Sequence, residues 1–334
     1  MTPLEEILRA LIARRGPLRF SRFMELALYH PEHGYYRCGR DPFGRSGDYF
    51  TAEQLQPVFG LLMARLVRSL WESLGSPADF TLVELGAGRG EMAEAFSAWR
   101  YLPVEIGRGA LPEAFTGVVF AHEFFDALPV DQAVRRGGAW RMRRVDWRGG
   151  RFVWVEAEPV RGPAAEYLRR FVEPAPEGRL AEVPLRALRW MARIARRLRR
   201  GFLLAIDYGY TRREAARFPR GTLMSYRRHQ ACEDVLAEPG GRDITAHVPF
   251  EALAAQGERC GLRTLRLERL GRLLAELGEA DRFAGVLEAG PAESLRRRLQ
   301  LKTLLFAMGE SFLVLLQRKE GPGGNEKGPE AIGA

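Results

Sequence analysis

Residues able to bind a charged ligand are concentrated in one glycine-rich turn. The sequence predicts a strand over residues 80–85, which runs directly into Gly86-Ala87-Gly88-Arg89-Gly90. In an open α/β sheet, ligands bind at the carboxyl ends of the strands, where glycines let a ligand approach the backbone. A tight turn that binds nothing is the alternative. The cofactor-binding residues predicted here are Glu84, Gly86, Ala87, Gly88 and Gly90.

The spacing of the glycines distinguishes between two kinds of cofactor. A dinucleotide fingerprint, Gly-x-Gly-x-x-Gly, needs glycine at position 91, where this chain has Glu91. A carboxylate at the start of a helix also opposes the binding of pyrophosphate there. S-adenosylmethionine (SAM) carries no phosphate, and its sulfonium and amino groups are cationic. The pattern therefore favours SAM, with S-adenosylhomocysteine (SAH) as product, and leaves a nicotinamide-dependent dehydrogenase as a distant alternative.

Acidic side chains also follow the other predicted strands. Glu105 stands 21 residues after Glu84, the distance at which an acid commonly accepts hydrogen bonds from the ribose hydroxyls of a cofactor. The apolar runs 117–121 and 202–206 are typical of strands buried on both faces. Because parallel strands end at the same edge of a sheet, we expect the acids that follow them to lie at one pocket mouth.

The residues after these two runs are the predicted catalytic groups. We assign catalytic roles to Glu123, Asp126 and Asp207, and we add His122 and Glu105 to the cofactor-binding set. A buried carboxylate such as Glu123 is costly unless it meets water, a partner or a ligand. Three alternatives remain: Glu105 as a surface acid, Asp126 as a helix cap, and His122 as a packed core histidine. We predict no metal site.

The remaining elements complete an α/β pattern. Helices are predicted over 3–15, 21–29, 57–74, 91–99, 181–199 and 249–260; strands over 80–85, 101–106, 117–121 and 202–206; and hairpins over 140–155 and from 303–306 to 312–317. A glycine- and aromatic-rich loop separates the second and third helices. Its residues Gly47 and Thr51 are predicted to fold over the cofactor.

This pattern divides the chain into three parts. Residues 1–76 are predicted to form a helical N-terminal cap that includes the covering loop. Residues 77–318 form the main domain, with inserts at about 137–180 and 210–248. Residues 319–334, rich in glycine, proline and charge, are predicted to be a disordered tail.

The charge of the chain is unevenly distributed. The net charge is +9, yet residues 77–131 contain nine acids and three arginines, a net of −6. An acidic pocket on a basic protein favours a cationic ligand over a polyanion, so no nucleic-acid partner is favoured. The arginine-rich run 186–200 suggests RNA binding, but the solvated face of an amphipathic helix explains it more simply.

Several features predict a cytoplasmic protein without a membrane partner. The first helix begins with a capping box, Thr2-Pro3-Leu4-Glu5, and no apolar run approaches the length of a membrane span. The cysteines Cys38, Cys232 and Cys260 show no CxxC spacing, which indicates reduced thiols. The hairpin 140–155 is a candidate contact of a homodimer, a docking surface or a cover for the insert.

Taken together, the motifs resemble the MidA family of SAM-dependent methyltransferases, whose mitochondrial members assist the assembly of respiratory complex I. The resemblance covers about residues 19–318. Its pieces are Phe23-Met24, Leu28-Tyr29, Gly34-Tyr35-Tyr36, Gly47-Asp48-Tyr49-Phe50-Thr51-Ala52, the turn at 83–90, Glu123-Phe124-Phe125-Asp126-Ala127-Leu128-Pro129-Val130, Ile206-Asp207-Tyr208-Gly209-Tyr210, Asp243-Ile244-Thr245-Ala246-His247-Val248 and Met308-Gly309-Glu310-Ser311-Phe312.

The resemblance implies a Rossmann-like class I methyltransferase sheet with a helical N-terminal addition and an inserted β-hairpin/α subdomain. It also implies methylation of a protein arginine, with a complex I subunit as the partner. On this basis Glu123 and Asp126 clamp the guanidinium of the acceptor and take its proton, and Asp207 is a second-rank partner. Two alternatives remain: a SAM-binding assembly factor with little catalysis, and an RNA or small-molecule methyltransferase.

This chain departs from the family pattern at several positions. His122 stands where asparagine is usual, Glu53-Gln54 where Pro-Glu is usual, and Pro249 where an acid or amide is usual. Only eleven residues, 106–116, separate Glu105 from the next strand. The usual helix and third strand of the fold are therefore expected to be shortened or missing, which removes one wall near the adenine.

Overall fold

The computed structural model describes residues 2–39, 48 and 52–321 of the 334-residue chain. Gly47 and Thr51, the predicted covering residues, lie outside the described residues, as do residues 322–334 of the predicted tail. The first residue of that tail, Lys319, ends the last strand.

The strands in chain order are β1 (Leu18–Arg19), β2 (Phe80–Leu85), β3 (Arg100–Val104), β4 (Phe115–His122), β5 (Asp131–Arg136), β6 (Ala139–Arg148), β7 (Arg151–Pro159), β8 (Leu180–Val183), β9 (Leu198–Tyr210), β10 (Met224–Arg227), β11 (Gln230–Cys232), β12 (Asp243–Thr245), β13 (Val248–Pro249), β14 (Arg263–Arg269) and β15 (Phe312–Lys319). The α-helices are α1 (Pro3–Arg15), α2 (Phe20–Tyr29), α3 (Val58–Ser73), α4 (Gly162–Phe171), α5 (Leu185–Arg197), α6 (Phe250–Arg259), α7 (Leu270–Glu279), α8 (Ala284–Leu287) and α9 (Pro291–Lys302). Short 3-10 turns cover Ala52–Gln54 and Glu214–Arg217, and a π-helix covers Thr303–Met308.

The chain divides into two compact units. The first unit consists of Met1–Phe50, Asp126–Arg189 and Tyr210–Glu251, and the second of Thr51–Phe125, Trp190–Gly209 and Ala252–Ala334. These boundaries differ from the predicted division. Helix α3, which the sequence analysis placed in the N-terminal cap, contributes Val58, Phe59 and Leu62 to the core of the second unit.

The second unit is built on a sheet with strand order β14-β15-β9-β4-β2-β3. Strand β2 pairs in parallel with β3 on one side and with β4 on the other, and β4 pairs in parallel with β9. Strand β15 is antiparallel to β9 and β14. All six residues of β2 are buried, as expected for a strand with both faces covered. Because the strand order reverses at β2, the carboxyl ends of β2 and β4 form a switch point, where open α/β sheets bind ligands.

The connection from β3 to β4 is short, as the sequence predicted. Between Val104 and Phe115, the described residues form no helix or strand, only an isolated bridge between Glu105 and Arg108. Strand β3 therefore ends the strand order. Ile106, beside Glu105, is 40% exposed.

Two predicted helices differ from the structure. Residues 91–99 form a series of turns, with Ala93 N donating to Gly90 O and Trp99 N donating to Phe96 O. Met92 and Phe96, both completely buried, anchor the segment in this conformation. The start of the predicted helix 181–199 is strand β8, because pairing with β5 outweighs the local propensity of these residues.

The predicted C-terminal hairpin is also wrong. Residues 303–306 belong to the π-helix Thr303–Met308, which continues from α9. Strand β15 instead pairs with β9 and with β14, a strand that the sequence analysis did not identify. Pairing between segments so far apart in the chain leaves no local signal.

The first unit contains a sheet of order β1-β6-β5-β8, with β7 paired to β6, and a smaller sheet β11-β10-β12. The hairpin of β6 and β7 confirms the one predicted over 140–155. Its turn residues Gly149 and Gly150 have φ values of +56° and +80°. Helices α1 and α2 pack against this sheet through Leu8, Phe20 and Phe23.

Three further observations concern helices and charged groups. None of the helices in the described ranges is long and apolar enough to cross a membrane. Helix α5 buries Ala187, Met191 and Ile194 and exposes Arg189, Arg193 and Arg196, so its arginines occupy a solvated face. Within the described part of the chain, no group of three or more His, Cys, Asp or Glu side chains is arranged to hold a metal ion.

Replacing Gly117 with alanine is expected to destabilise the second unit strongly. Gly117 has φ +153°, and an added Cβ would lie 1.9 Å from the carbonyl oxygen of Thr81 on the neighbouring strand. We expect Gly117→Ala to lower the free energy of unfolding by at least about 2 kcal/mol, measured by urea denaturation. The control is Gly137→Ala, where a Cβ meets nothing within 4 Å and the positive φ alone costs about 1 kcal/mol. Equal losses in the two variants would contradict the steric argument.

Candidate functional site

The glycine turn that follows β2 has a conformation that requires glycine. Gly86, Gly88 and Gly90 have φ values of +76°, +49° and +85°. Gly86 N donates to Val104 O at 2.9 Å, and Gly90 N donates to Ala87 O at 2.7 Å. A Cβ on Gly86 would come within 3.3 Å of the Phe124 ring. The positive φ at all three positions, and the Phe124 ring beside Gly86, explain why glycine occupies them.

Glu105 holds this turn in place. Its Oε2 accepts a hydrogen bond from Gly88 N at 2.9 Å, and its Oε1 accepts one from Ile106 N at 2.7 Å. Arg108 supports both partners, because its backbone N donates to Glu105 O and its guanidinium donates to Gly88 O at 3.2 Å. A carboxylate oxygen has lone pairs left after one such bond, so the fixed Glu105 can also accept two neighbouring hydroxyls, as on a ribose.

Glu84 lies behind the turn with its carboxyl group almost entirely buried. It is 1% exposed, and its Oε2 accepts a hydrogen bond from the Tyr101 hydroxyl. Its Oε1 meets no conventional donor in the described part of the chain. Burial, reinforced by the neighbouring Glu53, raises the pKa of Glu84 to about 9. Burial therefore favours the protonated form of the Glu84 carboxyl group.

Glu53 is a second buried carboxyl at the same place. It belongs to the 3-10 turn Ala52–Gln54, is 7% exposed, and lies near enough to Glu84 to influence the pKa of that carboxyl group. Burial raises the pKa of Glu53 to about 8, and repulsion from Glu91 and Glu105 acts in the same direction. The sequence analysis noted Glu53 as a departure from the family pattern and gave it no role.

His122 lies between Glu53 and Glu123. Its Nδ1 is 3.3 Å from Glu53 Oε1, and its Nε2 is 3.7 Å from Glu123 Oε1. The rings of Phe59, Phe120 and Phe312 surround the imidazole at centroid distances of 5.0, 6.3 and 5.6 Å. Burial lowers the pKa of His122 to about 3, so the ring is neutral. Two departures from the family pattern, Glu53 and His122, thus contact each other.

Glu123 has an unusual backbone conformation at the end of β4. Its φ is +47°, in the left-handed region that non-glycine residues rarely adopt. The conformation is held because Glu123 N donates to Ile206 O at 3.0 Å and the next amide but one, Phe125 N, donates to Asp207 Oδ2 at 2.9 Å. Strain of this kind is commonly found at functional sites.

The other two predicted catalytic acids have different surroundings. Asp207 is completely buried, and its carboxylate accepts hydrogen bonds from the backbone amides of Phe125 and Tyr208, which fixes the turn that carries Glu123. Asp126 belongs to the first unit, where its carbonyl oxygen accepts a hydrogen bond from Ala246 N at 3.0 Å. The catalytic roles assigned to Glu123, Asp126 and Asp207 stay predictions.

In the second unit, the structure brings together the glycine turn, Glu84, Glu105, His122 and Glu123. Glu53 and Tyr101, which contact His122 and Glu84, belong to the same site and were missed from the sequence. Tyr101 carries a polar group beside the apolar residues 102–104 of β3, a signal that could have identified it. For Glu53 the only signal was an acid in a loop, because its contact with Glu84 joins segments that are distant in the chain.

The residues at this site fit SAM. The glycines carry no side chain that would obstruct a ligand, the Glu105 oxygens have lone pairs left for hydroxyls, and the buried carboxyl groups of Glu53 and Glu84 suit a cationic group. Glu84 Oε1 and His122 Nε2 are buried, and neither has a hydrogen-bond partner among the described residues. Such atoms indicate that a ligand or water completes the site.

These features define a SAM-dependent methyltransferase, and the comparison with known families agrees. Residues 99–267 match the model of a family of S-adenosyl-L-methionine-dependent methyltransferases, and the chain belongs to this family. A protein from Burkholderia thailandensis, solved with bound S-adenosyl-homocysteine, is 30% identical with a TM-score of 0.83, covering 96% of this chain and 92% of its own. The predicted fold class, cofactor and enzyme class are thereby confirmed.

Similar proteins with specific names come from animals. The Drosophila melanogaster protein arginine methyltransferase NDUFAF7 homolog, mitochondrial, is 29% identical over 321 residues, which cover 77% of this chain and 70% of that protein. The Homo sapiens protein arginine methyltransferase NDUFAF7, mitochondrial, is 28% identical over 367 residues, which cover 90% of this chain and 78% of that protein.

The predicted cytoplasmic location is contradicted by these relatives, which are described as mitochondrial. The prediction used the composition of the first helix. In the structure that helix buries Leu4, Leu8 and Ile12 in the core of the first unit. The apolar pattern of this helix is therefore explained by packing and does not indicate where the protein is located.

Removing the Glu105 carboxylate is expected to weaken SAM binding. We expect Glu105→Ala to raise the Kd for SAM about 10- to 100-fold, because hydrogen bonds to a charged group contribute about 1.5–3 kcal/mol. Glu105→Gln retains one oxygen for Gly88 N and should lose less. Calorimetric titration measures both. The control is Glu113→Ala, whose side chain is 98% exposed. An unchanged Kd for Glu105→Ala would remove Glu105 from the cofactor site.

The buried acids should make the stability of the ligand-free protein depend on pH. Folding raises the pKa of Glu53 and of Glu84, so their contribution is complete below the unfolded value near 4.5 and is lost as pH rises towards 8–9. We expect the Tm to fall between pH 5 and pH 9, and to fall less in Glu84→Gln. Exposed Glu94→Gln should follow the wild type. Parallel curves for wild type and Glu84→Gln would contradict the assignment.

Proposed function

We propose that this methyltransferase modifies an arginine side chain of a protein, and that the substrate is a subunit of respiratory complex I. The names of the animal relatives support the arginine: proteins similar over most of this chain are called protein arginine methyltransferases. The motif resemblance to the MidA family supports the complex I subunit.

The chemistry of the acceptor requires acids at the site. An arginine guanidinium is protonated in water and must lose a proton as the new bond to carbon forms. SAM supplies an activated methyl group when bound, so the protein mainly has to align the acceptor, exclude water and take the proton. Carboxylates are the groups best suited to hold a guanidinium, because two oxygens match its planar donors.

The single observation that carries the proposal is the arrangement of Glu123. Its carboxyl group is 12% exposed and lies at the carboxyl end of β4, next to the strand that leads into the glycine turn. The backbone of Glu123 is in the left-handed region, and hydrogen bonds on both sides of the residue hold it there. This conformation costs energy, and such strain is found mainly where it serves a function. In this proposal Glu123 holds the guanidinium and accepts its proton.

The charge distribution favours a cationic acceptor over RNA. The net of −6 over residues 77–131, which include the glycine turn, Glu105 and Glu123, would repel a polyanion. The arginines exposed on α5 lie outside that segment.

The test is to find the methylated residue. Extract from the source organism with this gene deleted is incubated with purified protein and isotopically labelled SAM, and labelled peptides are identified by mass spectrometry. Label on an arginine of a complex I subunit supports the proposal. Label on RNA or on a small molecule contradicts it, and SAM binding without labelled product would indicate an assembly factor.

Substitution of Glu123 is expected to separate stability from activity. Glu123→Gly relieves the left-handed strain, so we expect a free energy of unfolding equal to or up to about 1 kcal/mol above that of the wild type. Methyl transfer should fall at least about 100-fold in Glu123→Gly and in Glu123→Gln, as for loss of a proton acceptor. Urea denaturation and labelling measure the two effects. The matched control is Glu113→Gln. Full methyl transfer by Glu123→Gln would contradict the role of Glu123 as proton acceptor.

A further inference from the structure

A row of exposed apolar side chains runs along one side of α9 and the π-helix that follows it. Leu295 is 60% exposed, Leu299 is 59% exposed and Phe306 is 72% exposed. The described part of the chain exposes one other large apolar side chain, Ile106. Apolar residues scattered singly over a surface are ordinary, but a group of them on one element marks an interaction site. We call Leu295, Leu299 and Phe306 the α9 row.

The spacing of the α9 row matches one face of a helix. Leu299 follows Leu295 by four residues and Phe306 follows it by eleven, and these positions lie on the same side of a helix. Leu301 and Leu304 lie on the other side and are buried in the core of the second unit. The element therefore has two apolar sides, and the packing of the second unit covers only one of them.

Two basic side chains accompany the row. Arg298 and Lys302 are exposed on the same stretch of the element. Neither forms a hydrogen bond or an ion pair within the described residues, whereas Arg296 and Arg297 both bind Glu293. The surface therefore combines apolar contacts with two uncompensated positive charges, which complement a negatively charged partner.

A second copy of this chain is a poor occupant of the row. Two copies related by a two-fold axis through the row would bring Arg298 and Lys302 of both chains together, and like charges oppose that arrangement. The row is also small. An aromatic side chain buries at most about 250 Å², so these three side chains supply less than the roughly 800 Å² that each folded partner buries in a stable complex. Both facts favour a short acidic segment.

The row belongs to an element that also contacts the cofactor site. Gln300 Nε2 of α9 donates to the carbonyl oxygen of Gln56 at 2.7 Å, three residues after Glu53. Beyond the π-helix the chain enters β15, where the Phe312 ring packs against His122 at a centroid distance of 5.6 Å. A partner held on the row is therefore bound to an element that touches residues of the site.

We propose that the α9 row binds an acidic, amphipathic segment of a partner protein. The apolar face of the segment covers the row, and its carboxylates pair with Arg298 and Lys302. Apolar side chains at helical spacing commonly serve as the anchors of such contacts. This inference concerns a surface outside the cofactor site and does not depend on arginine being the acceptor.

The experiment measures the binding of fluorescent synthetic peptides to the full chain by fluorescence anisotropy. The probe has about 18 residues, enough for several helical turns, with leucines at helical spacing on one face and glutamates elsewhere. A matched peptide has lysine in place of every glutamate. The proteins are wild type, Phe306→Ser, the double variant Arg298→Glu with Lys302→Glu, and the control Arg196→Glu, which reverses an exposed charge on α5. Thermal unfolding and titration with SAM verify that each variant is folded.

We expect wild type to bind the acidic peptide with a micromolar Kd and the lysine peptide at least about tenfold more weakly. Phe306→Ser and the double charge reversal should each raise the Kd for the acidic peptide at least about tenfold, because aromatic anchors and complementary charges dominate such contacts. The effect of the charge reversal should shrink as salt is raised. Arg196→Glu should bind as wild type does, and the Kd for SAM should be unchanged throughout. If Phe306→Ser does not fold, Leu299→Ser provides the same comparison.

Several results would overturn the proposal. Wild type could fail to bind the acidic peptide, or folded Phe306→Ser could bind it as tightly as wild type does. Equal weakening by Arg196→Glu would show a general attraction of charge and would remove the row from the account.

Two other occupants are tested with the same variants. Sedimentation with vesicles of phosphatidylcholine and phosphatidylserine, lost in Phe306→Ser, would replace the protein partner by a membrane. A dimer detected by sedimentation velocity, and lost in Phe306→Ser, would replace it by a second copy of the chain. None of these results affects the arginine substrate, whose test is the identity of the labelled residue.

Discussion

The parallel pairing of β2 with β3 on one side and β4 on the other is the constraint on which the site depends. It reverses the strand order at β2 and brings the carboxyl ends of three strands to one edge. Close contact of the strand backbones fixes the register. Gly117 lies against Thr81, and Gly201 lies against Gly117, so closely that a Cβ at either glycine would meet a carbonyl oxygen. With this register the sheet presents Glu84, Glu105 and His122 together.

Buried carboxyl groups are the main electrostatic feature of that edge. Desolvation disfavours their charged forms, and the neutral His122 offers no positive charge in return. A binding site of this kind is matched to a cationic ligand, since only an added cation makes ionisation favourable. Glu53 and His122 are both departures from the family pattern, and they contact each other through Glu53 Oε1 and His122 Nδ1.

Much of the second unit was predictable because its signals are local. The runs at 117–121 and 202–206 are apolar throughout, the run at 80–85 is mainly apolar, and the structure forms β4, β9 and β2 there. The short link after Glu105 could be counted directly. Errors arose where pairing with distant segments decides the conformation: β8 is a strand because it pairs with β5, and β15 has β14 and β9 as partners.

The sequence by itself determined the glycine turn, the distance from Glu84 to Glu105 and the acids that follow the buried strands. These features depend on residue type and on short spacing along the chain. Only the tertiary structure decided that Glu53 contacts His122, that burial lowers the pKa of His122, and that Asp207 fixes backbone amides. The physical reason is that the protonation state and hydrogen bonding of a carboxyl or imidazole group depend on burial and on neighbours in space, which local sequence does not specify.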